Sequence, residues 1–216
     1  MAVRQNLHKA LSPCILEVER KFHSLAVHQL TQNGGNPPFQ SLRTLPLQII
    51  RDTYYDKADL LSSSGAWIRR RNGIWEAKIR KGGDFTNSRF EELSRVSDIA
   101  ACVENITKIQ AHERENFGLG IMADFTTTRE TWIADDEFRI VRDNMDFGHE
   151  VGEVELQRAL EGEGGGVPSE EEKMVEMQRM DERISEFMRR YSWAFTSGKP
   201  VGKLTAYFEM MGKKRS

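Results

Sequence analysis

The chain predicts a mainly β fold with a smaller helical share, and three observations carry that reading. Nine segments alternate apolar and polar residues with period two: 14–22, 49–55, 66–71, 74–81, 88–95, 125–133, 137–143, 150–157 and 202–209. Only two long stretches, 97–109 and 168–193, keep helical spacing instead. The Gly- and Pro-rich stretches "NGGNPP" and "EGEGGGVPS" are short enough to be loops, and no internal repeat is present.

Each element has a local justification. The opening strand, "CILEVERKF", sets Glu17, Glu19 and Lys21 on one face and Leu16, Val18 and Phe22 on the other. A helix is expected over 23–32, closed by Asn33-Gly34-Gly35. The helix after Pro168 begins with Ser169 and Glu172, a capping-box pair. Its Met174, Met177, Ile184, Phe187 and Met188 fall near helical spacing and read as core packing. Asp52 and Asp56 flank Tyr54 and Tyr55 and are expected to cap or brace the turn there, with Asp52 also placed to orient cations.

With 216 residues the chain is read as one domain, 1–216. Charged residues make up 30% but the formal net charge is only -2, so composition supplies no bulk attraction to nucleic acid or membrane. Cys14 and Cys102 lack metal-ligand spacing and suit a reducing compartment. The N-terminal stretch has no signal-peptide core, and no run approaches a membrane span, so a cytoplasmic protein is expected. His23, His28, His112 and His149 show no metal spacing, and "KKRS" at the end reads as a solvated tail.

The charged faces recur. Trp67, Arg69 and Arg71 share a face; Glu76, Lys78 and Arg80 share another; Glu153 and Glu155 share a third. For any single strand the simpler reading is a solvated face of a half-exposed sheet. If the strands close into a barrel, these faces converge inside while the apolar faces pack under helices. Arginines and lysines suit phosphate oxygens, whereas carboxylates repel them. Carboxylates among them then call for a hard divalent cation such as Mg²⁺, bound by oxygens.

The "EVERK" of residues 17–21 resembles the E-x-E-x-K signature of the CYTH family, the triphosphate tunnel metalloenzymes. "RDTYYD", "WIRRR", "WEAK", "DFGHEVGEVE" and "GKLTAYF" follow in the order seen in the thiamine triphosphatase branch, so the resemblance covers nearly the whole chain. It implies an eight-stranded antiparallel β-barrel forming a charged tunnel, with helices packed outside. It also implies Mg²⁺-dependent hydrolysis of thiamine triphosphate, with Mn²⁺ as the alternative ion, by a monomer acting on a small-molecule substrate. By resemblance, Glu17, Glu19, Asp143, Glu153 and Glu155 hold the metal. Lys21, Arg69, Arg71, Lys78, Arg129 and Lys203 hold the triphosphate, Trp67 stacks on the organic part, and Glu92 is a further tunnel carboxylate. Tyr54 and Lys78 match the pair assigned to the chemical step.

One departure stands out: Val141 occupies a position where the family carries an acid, with Asp143 two residues on. Two other functions fit the same residues. The substrate can be inorganic tripolyphosphate or a nucleoside triphosphate, although Trp67 favours an organic cation. Alternatively the protein binds polyphosphate without cleaving it, a reading that the intact Glu17, Glu19, Glu153 and Glu155 oppose and Val141 supports.

Overall fold

The protein is described here from a computed structural model, which covers residues 14–162 and 166–213. The expectations for the residues before Cys14, for 163–165 and for the last three residues lie outside the described part. The strands are β1 (Cys14–Phe22), β2 (Leu42–Thr44), β3 (Gln48–Asp56), β4 (Ala66–Arg71), β5 (Ile74–Gly83), β6 (Asn87–Leu93), β7 (Gly120–Ala134), β8 (Phe138–Met145) and β9 (Glu150–Leu160). The helices are α1 (Leu60–Ser63), α2 (Val96–Thr107), α3 (Glu170–Arg190) and α4 (Lys203–Lys213).

Eight strands close an antiparallel barrel in the order β7, β3, β4, β5, β6, β1, β9, β8, with β8 returning to β7. β2 lies outside the ring and pairs with the far end of the 15-residue β7. Direct cross-strand partners share a face, so the register shows which side chains turn inward. Glu19 faces Glu155, Lys21 faces Glu153, Tyr54 faces Arg69, Lys78 faces Glu92 and Arg129 faces Asp143. The predicted charged faces therefore line the lumen.

The apolar faces build two cores outside the barrel. One joins Leu16, Val18, Trp132, Ile140, Val154 and Leu156 to Met177, Met180, Ile184 and Phe187 of α3. The other joins Ile68, Trp75 and Ala77 to Leu61 of α1 and to Ile99 and Val103 of α2. Burying each large apolar side chain contributes roughly 1.5–3 kcal/mol, so the helices hold the strands from outside. Ser169 caps α3 in the expected box, accepting from the Glu172 N–H at 3.2 Å while Glu172 accepts from the Ser169 N–H at 2.6 Å. Of the expected α3 stripe, Met177, Ile184 and Phe187 are buried, whereas Met174 faces outward at 60% exposure. Salt bridges from Asp181 to Arg20 and Arg89, each 2.8 Å, fix α3 across β1 and β6. Among the described residues, no helix is long and apolar enough to cross a membrane.

Two sequence expectations are corrected. Residues 23–32 form no helix; Ala26 N–H donates to the Ala194 carbonyl and Thr196 N–H to the Ser24 carbonyl, so the backbone is committed to the segment after α3. Residues 203–209 form the start of α4 rather than a strand. Each of the eight ring strands already has a neighbour on both sides, and Leu204 and Tyr207, spaced i and i+3, pack on lumen-facing Phe125 and Val151 and on Phe147. α4 thus fills the lower end of the lumen.

Asp56 does the bracing expected of it. Its carboxylate accepts from the N–H groups of Lys57 (2.6 Å), Leu61 (2.9 Å) and Ser62 (3.0 Å), tying the end of β3 to α1. Burial disfavours its charge, but these bonds outweigh it and lower its pKa. Asp56→Ala should destabilise the fold by about 1–3 kcal/mol in urea titrations at neutral pH. Because the folded-state value is depressed, the deficit should shrink as pH falls below about 4; a pH-independent deficit would count against this role.

Candidate active site

Alternation along seven of the strands aims Glu17, Glu19, Lys21, Tyr54, Trp67, Arg69, Arg71, Lys78, Glu92, Arg129, Glu153 and Glu155 into one cavity of about 520 Å³, and Lys203 enters it from the first turn of α4. Every residue given a metal, substrate or catalytic role by resemblance lines this cavity except Asp143, which lies directly behind Arg129 and Lys203.

The charges form a continuous lattice. Lys78 pairs with Glu17 and reaches Glu19 at 3.3 Å and Glu92 at 3.6 Å. Lys21 pairs with Glu19 and lies 3.8 Å from Glu153. Lys203 pairs with Asp143 and lies 3.6 Å from Glu153. Arg129 holds Asp143 through two bonds of 2.7 and 2.6 Å, and Arg71 holds Asp52 through two of 2.8 and 2.7 Å. Arg69 donates to Glu76 at 2.9 and 2.8 Å and to the Tyr54 hydroxyl at 3.3 Å.

The β1 and β9 glutamates are shifted in opposite directions. Burial and the charge of Glu17 push Glu155 up to about 8, and the same two causes push Glu92 up to about 7. Burial and Glu153 raise Glu19 as well. Glu17 goes the other way: burial opposes its charge, but Lys78 and the Gln157 amide bring it down to about 2. Lys203, Lys21 and Arg129 likewise overcome burial to hold Glu153 below the usual carboxylate range. Lys78 stays charged, because Glu17 and Glu19 overcome its own burial.

The four glutamates are hard oxygen donors, shielded from water and crowded together, with Glu155 and Glu19 raised, which suits a hard divalent cation. Among the described residues no three such side chains converge as a finished cation shell; Lys78 bridges Glu17 and Glu19, and Lys21 bridges Glu19 and Glu153. Asp143 is fully buried, with both oxygens taken by cations. Val141 lies directly opposite both Glu153 and Thr131, so an apolar side chain stands in the lumen wall there. The buried Thr131 hydroxyl beside it has no hydrogen-bond partner.

The expected pairing of Tyr54 with Lys78 takes a different form. Arg69 is the hydrogen-bond partner of Tyr54, and Lys78 is engaged by carboxylates. Trp67 meets Phe90 edge-on, with centroids 5.7 Å apart, and the Lys78 ammonium lies 5.2 Å from the Phe90 centroid.

Several lining residues escaped the sequence reading, and three of them contact residues that it did single out. Gln157 donates to Glu17 at 2.8 Å and Glu92 at 2.9 Å, Arg139 reaches Glu155 at 3.2 Å, and Phe90 backs Trp67. Continuing the period-two count from Glu155 to Gln157, and from Asp143 back to Arg139, would have found the first two.

The chain matches no family model. It is 32% identical to human thiamine-triphosphatase over 187 residues, which cover 77% of each chain. Its fold is shared by a protein of Pyrococcus horikoshii (TM-score 0.52, 16% identity, 89% of this chain and 98% of that one). It is shared too by a Hippeastrum protein assigned as an adenylyl cyclase and showing a dominant triphosphatase activity (TM-score 0.51, 16% identity, 90% of this chain and 95% of that one). With a closed barrel whose lumen gathers the E-x-E-x-K residues and this level of identity, the chain belongs to the thiamine-triphosphatase branch of the CYTH family of triphosphate tunnel metalloenzymes.

Proposed function

We propose that this chain hydrolyses the terminal phosphoanhydride of thiamine triphosphate to thiamine diphosphate and phosphate, with Mg²⁺ or a similar divalent cation. The observation that carries the reading is the buried lattice of Glu17, Glu19, Glu153 and Glu155 interleaved with Lys21, Lys78 and Lys203 around a cavity that also presents Trp67. Kinship with human thiamine-triphosphatase supports the choice of substrate.

In this reading Glu17, Glu19, Glu153 and Glu155 hold the cation, while Asp143 orients Arg129 and Lys203. The bound cation would neutralise phosphate charge as it builds up in the transition state. Lys21, Lys78 and Lys203 exchange carboxylate partners for phosphate oxygens, a substitution that keeps each ammonium paired. Arg69, Arg71 and Arg129, braced by Glu76, Asp52 and Asp143, are preorganised donors along the phosphate chain. Water attacks the terminal phosphorus, and the bond to the bridging oxygen breaks, leaving thiamine diphosphate. Tyr54 accepts from Arg69, which leaves its own proton available for a phosphate oxygen, while the attacking water gives up a proton to the phosphate it releases.

Phosphate release from thiamine triphosphate should require a divalent cation and stop with a chelator. The kcat/KM for thiamine triphosphate should exceed those for tripolyphosphate and ATP by tenfold or more. Equal or faster turnover of tripolyphosphate would move the assignment to an inorganic tripolyphosphatase, and release from none of them would favour a binding protein.

Tyr54→Phe keeps the ring on Phe125 and removes only the hydroxyl. It should lower kcat at least tenfold while KM changes less than threefold; an unchanged kcat would remove Tyr54 from the chemical step.

A further inference from the structure

The turn between β5 and β6 carries an aromatic ring that the charge lattice does not use. Phe85 is 42% exposed although it lines the cavity. Tyr54 and Phe90, which also line it, are 6% and 7% exposed, so little of either ring remains for a ligand to cover. Trp67 and Phe85 are the lining aromatics that keep accessible surface.

The turn holds Phe85 in place. The Asp84 carboxylate accepts from the Thr86 and Asn87 N–H groups, both at 2.7 Å, and the Asp84 N–H donates to the Asn87 carbonyl at 2.7 Å. Lys21 N–H ties the turn to β1 through the Thr86 carbonyl at 2.9 Å. Gly83 sits at φ 79°, where a Cβ would fall 2.0 Å from the Asn87 carbonyl oxygen. An exposed apolar ring on so constrained a turn loses little entropy on meeting a ligand.

Its neighbours place it next to the phosphate-binding groups. The Lys21 ammonium lies 6.0 Å from the ring centroid. A side chain at Gly202, directly before Lys203, would begin 3.2 Å from the ring. The ring therefore stands beside two of the lysines assigned to the phosphates, on the side of the cavity formed by α4.

We propose that Phe85 is a specificity-determining residue, packing with Trp67 against the aromatic headgroup of an organic triphosphate. The proposal rests on the thiamine triphosphate reading and adds to it the residue, absent from the family signature above, that separates organic from inorganic substrates. The competing role is to shield Lys21 from water, which would affect every phosphate ligand alike.

Calorimetric titration of thiamine diphosphate and of pyrophosphate, with Mg²⁺, into the unmodified chain and Phe85→Ala separates the two roles. Phe85→Ala should weaken thiamine diphosphate about tenfold and pyrophosphate less than twofold, and Phe85→Trp should retain the affinity for thiamine diphosphate. If Phe85→Ala fails to fold, Phe85→Leu, which keeps apolar bulk without a ring face, should show the same selective loss. Equal weakening of both ligands, or of neither, would overturn the proposal. Failure of the unmodified chain to turn over thiamine triphosphate would instead count against the proposed function, leaving the binding ratio to judge Phe85.

Discussion

Everything in this molecule follows from the need to neutralise a dozen charged groups away from bulk water. An isolated carboxylate or ammonium buried at the depth of Glu17 or Lys78 would lose several kcal/mol of hydration. The lattice offsets that cost only if each charge meets its opposite with good geometry. A single strand cannot arrange this, because its inward charges need partners on other strands. Lys78 finds Glu92 on β6 and Glu17 on β1, and Lys21 finds Glu153 on β9. Closure of the barrel is thus a condition of the site as well as a feature of the fold. Because the lumen is given over to charge, the cores move outside, and α3 and α2 supply the apolar partners the outer faces need.

The lattice divides into a fixed part and an exchangeable part. Arg129 with Asp143 and Arg71 with Asp52 are two-bond pairs in which arginine donors match both carboxylate oxygens. These are braces. The lysine contacts are looser: Lys78 is shared among three carboxylates, and Lys21 and Lys203 each between two. A lysine so shared can turn to a phosphate oxygen without leaving a buried charge alone, provided a cation takes up the released carboxylates. The raised values of Glu155 and Glu92 mark where that extra positive charge is most wanted. Lys203 also links site to fold, since it reaches the lattice only when Leu204 and Tyr207 seat α4 in the end of the barrel.

How much was legible in the sequence can be argued residue by residue. The alternation in Glu17, Glu19 and Lys21 located the strand and the shared face, because a period of two leaves no other geometry. Whether that face met water or a lumen was not readable from one strand; closure is a property of eight strands together. The C-terminal segment misled for a related reason. Over eight residues, Leu204, Ala206 and Phe208 alternate like a strand, and only the seating of Leu204 and Tyr207 in the end of the barrel, a tertiary fact, goes with the helix. Residues 23–32 were expected as a helix closed by Asn33-Gly34-Gly35 but give their backbone to the chain after α3, again a partner distant in sequence. The Tyr54–Lys78 pairing was a matter of family likeness, and the register supplies Arg69 as the direct neighbour of Tyr54 instead.

The same division bears on how substrate choice can vary within such a barrel. A change to any lattice charge disturbs its partners on other strands, so the phosphate-binding part resists substitution one residue at a time. Even Val141, an apolar intrusion in the wall, leaves Glu153 paired to Lys21 and Lys203. The β5–β6 turn carries no such obligation. Phe85 hangs from a framework of backbone bonds and the Asp84 carboxylate, so its side chain can change without exposing a buried charge or breaking a strand pairing. In the proposed reading, chemistry thereby falls to the residues that must agree with one another, and recognition of the organic group to those that need agree only with the ligand.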